Sequence, residues 1–231
     1  MRDDICTIPV SEIFEEQDGC PICRMYKRAE DRIVAYILGD AMMEPDVRIA
    51  TNKVGFCERH YGKMLSHRGR LQLSLMLQTH IDAINQQIFD RKLFNSSTKR
   101  GEKAGEIIET CFICDKIEFG MSRMIETIYR TYENERDFRD LFNRQPQFCL
   151  KHFERLMTGY DKKNMRNHGG DFVENLTRIT ADYSKKLYGN ISEYCKVYDY
   201  RSAGDKKATE EELNSVENAV AFLTGNIDFI K

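Results

Sequence analysis

Proline is scarce, at four residues in 231, and glycine stands at only 14, so little interrupts long helices. An excess of one charge is missing too. Lys and Arg total 35 against 37 Asp and Glu, and a formal net charge of −2 removes the bulk attraction of a polyanion binder. No apolar run approaches the roughly 18 residues that a membrane span needs. Met1-Arg2-Asp3-Asp4 is polar and does not open a secretion signal. The expectation is a cytoplasmic protein with no membrane partner. No stretch alternates long enough for a buried strand. Hydrophobic residues make up 41% and charged ones 31%, enough apolar material for a core. The length allows one or two domains at about 150 residues each. Eight cysteines in a reducing compartment point to metal or redox chemistry rather than to disulfides.

Six of those cysteines form a frame. Cys20-Pro21-Ile22-Cys23 is followed after 33 residues by Cys57-Glu58-Arg59-His60, and Cys111-Phe112-Ile113-Cys114 after 34 residues by Cys149-Leu150-Lys151-His152. The same order, CxxC then CxxH, occurs twice, offset by 91 and then 92 residues. Around it Ile22 matches Ile113, Arg32 matches Arg123, Asp46-Val47-Arg48 matches Asp137-Phe138-Arg139, Asn52 matches Asn143 and Phe56 matches Phe148. This register implies an internal duplication of helical units of roughly 90 residues.

Each unit reads as helical. Tyr26, Ala29, Ile33 and Ile37 step by three and four, as do Ile117, Met121, Met124, Ile128 and Tyr132. Longer amphipathic segments follow, from about Leu71 to Phe94 and along Phe172, Leu176, Ile179, Tyr183, Leu187, Ile191, Tyr194 and Tyr198, the latter opened by a capping box at Asp171 and Glu174. A second capping box, Thr209 with Glu212, precedes a stripe of Leu213, Val216, Val220 and Leu223. The expected fold is all-α: a first unit over residues 1–94, a polar linker over 95–105, a second unit over 106–201 and a C-terminal loop and helix over 202–231.

Zinc takes four thiolate and imidazole ligands in a tetrahedron, and Cys₃His is a standard structural set. Residues three apart project from one face of a helical turn, so each motif supplies a two-donor clip, and each clip sits where a helix is expected to begin. Pairing within a unit gives Cys20, Cys23, Cys57 and His60, then Cys111, Cys114, Cys149 and His152, holding two zinc ions per chain. Crossed pairing, with Cys20 and Cys23 meeting Cys149 and His152, stays open. An iron–sulfur cluster is the alternative cofactor, although such clusters usually take four thiolates. Four protein ligands leave no position for a catalytic water, so no catalytic residue is assigned. Arg24 and Asp115 follow the two CxxC motifs, where covalent haem would need histidine.

A thioredoxin-type site belongs in a βαβ setting that the sequence lacks. A zinc–thiolate redox or metal sensor remains the runner-up to an interaction or scaffold role with an unknown protein partner. His67, His80 and His168 read as surface or packing residues, Cys195 as a small core residue and Cys6 as a free thiol. Lys99, Arg100, Lys103, Lys162, Lys163 and Arg166 read as solvated loop charges, and half-sites more than 30 residues apart are unlike a short nucleic-acid-binding finger.

Thr7-Ile8-Pro9-Val10, both CxxC motifs, Gly55-Phe56-Cys57-Glu58-Arg59-His60, the second Phe-Cys-x-x-His, Tyr198-Asp199-Tyr200-Arg201 and Phe222-Leu223-Thr224-Gly225 together resemble an uncharacterised bacterial family, a domain of unknown function found mainly in anaerobic Gram-positive bacteria. The resemblance covers nearly the whole chain. It implies the ligand frame and no reaction.

Overall fold

The computed structural model describes residues 7–90, 97–161, 165–199 and 207–226. Among them are twelve α-helices, one 3₁₀ turn, one π-helical turn and no strand. The helices are α1 (Thr7–Glu15), α2 (Pro21–Leu38), α3 (Pro45–Val54), α4 (Glu58–Ser66), α5 (Arg70–Ile84), α6 (Ser97–Glu109), α7 (Phe112–Asn134), α8 (Arg136–Asn143), α9 (Leu150–Thr158), α10 (Gly169–Val197), α11 (Glu210–Leu213) and α12 (Ser215–Thr224). The same order follows each CxxC: a long helix, a shorter one, a helix opened by CxxH, then another long one.

The chain forms two compact units, each built from more than one of the segments expected from sequence. One comprises residues 1–26 with 122–231, the other residues 27–121. Both boundaries fall inside helices, α2 and α7, so each of these helices starts in one unit and ends in the other.

In the first unit the core is aromatic. Phe142 lies 5.7 Å from Phe14, 5.1 Å from Tyr132 and 5.0 Å from both Phe148 and Phe172, and all five rings are fully buried. Offset and edge-on contacts at these distances add to the burial of so much ring area. Arg24, buried on the first turns of α2, donates to the carbonyls of Ile13 at 2.9 Å and Glu16 at 2.7 Å. It thereby satisfies acceptors that the end of α1 leaves without helical partners. Gln145 joins this knot, donating to the Phe14 carbonyl at 2.6 Å.

The second unit buries Val34, Ile37, Phe56, Met64, Leu73 and Met76 on α2, α4, α5 and the approach to α4. Here α5 gives way to a π-helical turn over Asn85–Phe89. Where a linker is expected, Ser97–Glu109 is helical, and this helix has no buried residue. Its apolar residues are Ala104 at one turn and Ile107 and Ile108 at the end, too few to give a periodic signal.

Two expectations about helix ends and faces are corrected. The N-cap of α10 is His168, without a side-chain capping bond, and Asp171 lies inside the first turn. The carboxylate of Glu133 instead accepts the backbone N–H groups of Asn167 at 2.8 Å and His168 at 3.0 Å. The box at Thr209 and Glu212 does form in full, but the stripe after it faces outward. Leu213, Val216, Val220 and Leu223 are 46%, 46%, 37% and 60% exposed, whereas Ser215 and Ala221 are buried. On α12 the ring of half-buried Phe222 packs on Tyr183 of α10 at 5.7 Å, so the inner face runs through Ser215, Ala221 and Phe222 rather than along the stripe.

Candidate metal centres

All four motifs sit at helix starts. Cys20, Cys57, Cys111 and Cys149 immediately precede α2, α4, α7 and α9, and the second donor of each motif lies in the first turn. Cys57 and Cys149 are N-caps of nearly equal conformation, with φ and ψ of −74° and 164°, and −73° and 159°. The free N–H groups and dipole of a helix N-terminus favour thiolate. Pro21, as the first residue of α2, gives up an N–H that a helix start does not use.

The structure brings the eight residues together in the crossed arrangement. Cys20 and Cys23 meet Cys149 and His152, while Cys57 and His60 meet Cys111 and Cys114, with the donor atoms of each group within 4.8 Å of one another. Pairing within a repeat, Cys20 and Cys23 with Cys57 and His60, or Cys111 and Cys114 with Cys149 and His152, does not occur. A long helix follows each CxxC. At 1.5 Å per residue, the 18 residues of α2 and 23 of α7 carry the chain about 27 and 34 Å from their CxxC.

The first cluster is buried at all four residues. His152 Nδ1 lies 3.6, 3.3 and 3.1 Å from the sulfurs of Cys20, Cys23 and Cys149, and Cys23 and Cys149 sulfurs are 3.6 Å apart. In the second cluster His60 Nδ1 lies 3.2, 3.2 and 3.4 Å from Cys57, Cys111 and Cys114, with 3.8 Å between the sulfurs of Cys57 and Cys114. Zinc bonds of about 2.3 Å to sulfur and 2.0–2.1 Å to nitrogen would set tetrahedral edges of about 3.8 and 3.6 Å. The donor set and spacing therefore fit such an ion, and six ligand cysteines are free thiols too far apart for disulfides.

The two clusters differ in surroundings. Cys57 and Cys114 are half-buried, unlike any ligand of the first cluster. His60 also donates from Nε2 to Glu30 at 3.0 Å, and Glu30, itself buried, pairs with Arg59 and with Lys63 at 2.5 Å. A carboxylate behind a ligand histidine fixes its tautomer and orientation. At the 91-residue offset that relates the two CxxC motifs stands Met121. In the first cluster the Gly225 carbonyl approaches the Cys23 sulfur to 3.4 Å.

Protons are shared unequally in the apo form. Burial opposes ionisation of Cys111, yet the His60 ring and backbone N–H groups hold its thiol at about 6. Burial and the Cys111 sulfur push Cys114 up to about 12. Against the cost of burial, Cys111 and Glu30 raise His60 to about 9. In the other cluster Cys20 stays well below the ordinary thiol range despite burial, through bonds from Cys149, Cys23 and His152, while the bond to Cys20 lifts Cys149 to about 12. Each cluster thus ionises one thiol easily and resists the next. A divalent cation supplies the missing positive charge, and its binding expels protons.

The family model described as a family of unknown function (DUF6062) matches residues 1–229. The chain belongs to that family. No curated protein and no solved structure matches the chain. Membership in DUF6062 agrees with the resemblance carried by the motifs, and the family brings no reaction with it.

Other residues fall outside the clusters. His80 is buried and bonded to the Asn52 carbonyl, and His67 and His168 cap helix ends. Cys195 is exposed on α10 rather than in the core. Lys99, Arg100 and Lys103 lie on α6, and Lys103 pairs with Glu106 at 2.7 Å. Cys6, Lys162, Lys163, Tyr200 and Arg201 lie outside the described residues. Glu30, the carboxylate bonded to His60, is not revealed by spacing; in sequence it is one of two adjacent acidic positions, Glu30 and Asp31, on α2.

Proposed function

We propose that the protein is a zinc-binding helical scaffold in which two Cys₃His ions are structural and the surface serves a protein partner. The observation that carries the metal reading is the meeting of four helix N-termini as two sets of three sulfurs and one imidazole nitrogen, each within 4.8 Å. A structural zinc site is worth about 10–16 kcal/mol in small peptides, against about 5–15 kcal/mol for a whole domain. Metal is thus a condition of folding here rather than an accessory. The exposed stripe of Leu213, Val216, Val220 and Leu223 supports the partner role. Elemental analysis of anaerobically purified protein tests the metal: two zinc ions per chain and no visible colour are expected. Iron with inorganic sulfide would replace this reading by a cluster. A strong chelator should lower the melting temperature and the helical circular dichroism together, and unchanged melting after verified metal removal would refute a structural role.

A second reading, a redox sensor, is favoured by the half-burial of Cys57 and Cys114, whose sulfurs are 3.8 Å apart. Their oxidation by a peroxide forms a disulfide. The peroxide takes two electrons and two protons, leaves as water, and the zinc is expelled. Mild peroxide should then release one zinc ion per chain and not the second; equal release from both clusters would remove this reading.

A further inference from the structure

We propose that a cleft beside the second cluster binds a neutral, apolar small molecule carrying one hydrogen-bond donor. The cleft encloses about 700 Å³ and is walled by Phe56, Tyr61, Leu65, Leu77, Ile84 and Ile107. Small-molecule sites are typically about 300–1,000 Å³, apolar over most of their wall and oriented by a few polar groups. Here the polar groups are His80, Cys57 and, at one side, the exposed Glu58.

His80 is only 7% exposed. Its Nδ1 donates to the Asn52 carbonyl at 3.0 Å, which in the neutral ring leaves Nε2 as an acceptor. No described residue gives Nε2 a hydrogen bond, and His80 lines the cleft, so a ligand N–H or O–H reaching this acceptor would form one. No lysine or arginine lines the cleft. An anion would lose its hydration there without gaining a counter-charge, so a neutral ligand is selected. Because Cys57 belongs to the wall, the occupant also lies against a donor residue of the second cluster. That last consequence rests on the metal reading, whereas the cleft itself does not.

N-phenylnaphthylamine and anilinonaphthalene sulfonate share a ring skeleton and an N–H, and differ in charge. With the full-length, metal-loaded protein, the neutral amine should show saturable fluorescence enhancement at one site per chain. The sulfonate should bind weaker by about tenfold or more, the cost of an unpaired anion in an apolar site. Leu77→Arg, at a half-buried position, should abolish the amine signal, and Ile107→Arg does the same from the opposite helix should the first variant fail to fold. The proposal is overturned by absence of saturation, by sulfonate binding as tightly as the amine, or by both variants, folded, binding like the parent. If neither variant folds, the comparison of the two probes on the parent protein decides. Zinc content measured in the same samples keeps the two readings apart. A two-zinc chain that ignores the amine removes the cleft alone, and a zinc-free chain that binds it leaves the cleft standing.

Discussion

Glu30 receives the His60 Nε2–H, the Lys63 ammonium and the Arg59 guanidinium while almost fully buried. Burial alone would raise its carboxyl, but these three partners hold it at about 2. The His60 ring is thereby locked with Nδ1 toward the sulfurs. Glu30→Gln keeps the size and loses the charge, so zinc affinity at the second cluster should fall by about 10–100-fold, in line with other partners of ligand histidines. Competition with a chromogenic chelator measures this, and the first cluster serves as internal control. Equal weakening of both clusters, or of neither, would sink the assignment. The sign with pH follows from the lowered folded value. In the apo protein the stabilisation from Glu30 is complete above its unfolded value of about 4.3 and is lost as pH falls through about 2. The difference between parent and Glu30→Gln should therefore be full at neutral pH and close in strong acid.

At the level of elements, the second cluster depends on how two loops meet before two helices start. The Gly55 carbonyl accepts the Phe112 N–H at 3.0 Å and the Val54 carbonyl accepts the Thr110 hydroxyl at 2.8 Å, which fastens the approach to Cys57 against the approach to Cys111. Gly55 has a φ of 62°, and a Cβ there would stand 2.6 Å from His80 Nε2. Gly55→Ala adds left-handed strain, roughly 1–2 kcal/mol, to that clash. It should lower the denaturation midpoint and release zinc from the second cluster first; retention of both ions at unchanged midpoint would show the loop junction to be dispensable. In the first repeat Pro21 stands in the place of Phe112 and has no N–H to give, so the two junctions are not copies.

Much of this level is legible in sequence. The Cys and His spacing marks every helix that carries a donor, and Thr209 with Glu212 marks the start of α11. The inner face of α12 is not legible, because Ser215 and Ala221 are buried while the more apolar Val216, Val220 and Leu223 are exposed. Val216→Glu with Leu223→Lys, charges matched to the two ends of the helix, should each change stability by no more than about 0.5 kcal/mol, as surface substitutions do. A loss of several kcal/mol in denaturant titration would return the stripe to the core.

For the whole molecule, the question is which donors share an ion, and eight positions in a row cannot answer it. The CxxC and CxxH of one repeat are closer in sequence, which favours their pairing by loop entropy, yet that preference grows only slowly with length. The structure nonetheless brings each CxxC to the CxxH of the other motif set. A donor pair at the head of an 18- or 23-residue helix is delivered to a partner elsewhere in the chain. The first cluster consequently joins positions 126 to 132 residues apart, the second positions 51 to 57 apart.

Zinc stoichiometry of paired substitutions in the full chain reads this directly. Cys20→Ala with Cys149→Ala damages one ion's ligands twice, so one zinc per chain should remain. Cys20→Ala with Cys57→Ala damages both sets, and high-affinity zinc should vanish. Pairing within repeats would reverse the two results, because Cys20 would then share its ion with Cys57. If either doubly substituted chain misfolds, the single variants still decide through location. Cys57→Ala should deprotect amides across residues 27–121 in hydrogen exchange and Cys149→Ala those of 1–26 with 122–231, following the compact units rather than the repeats.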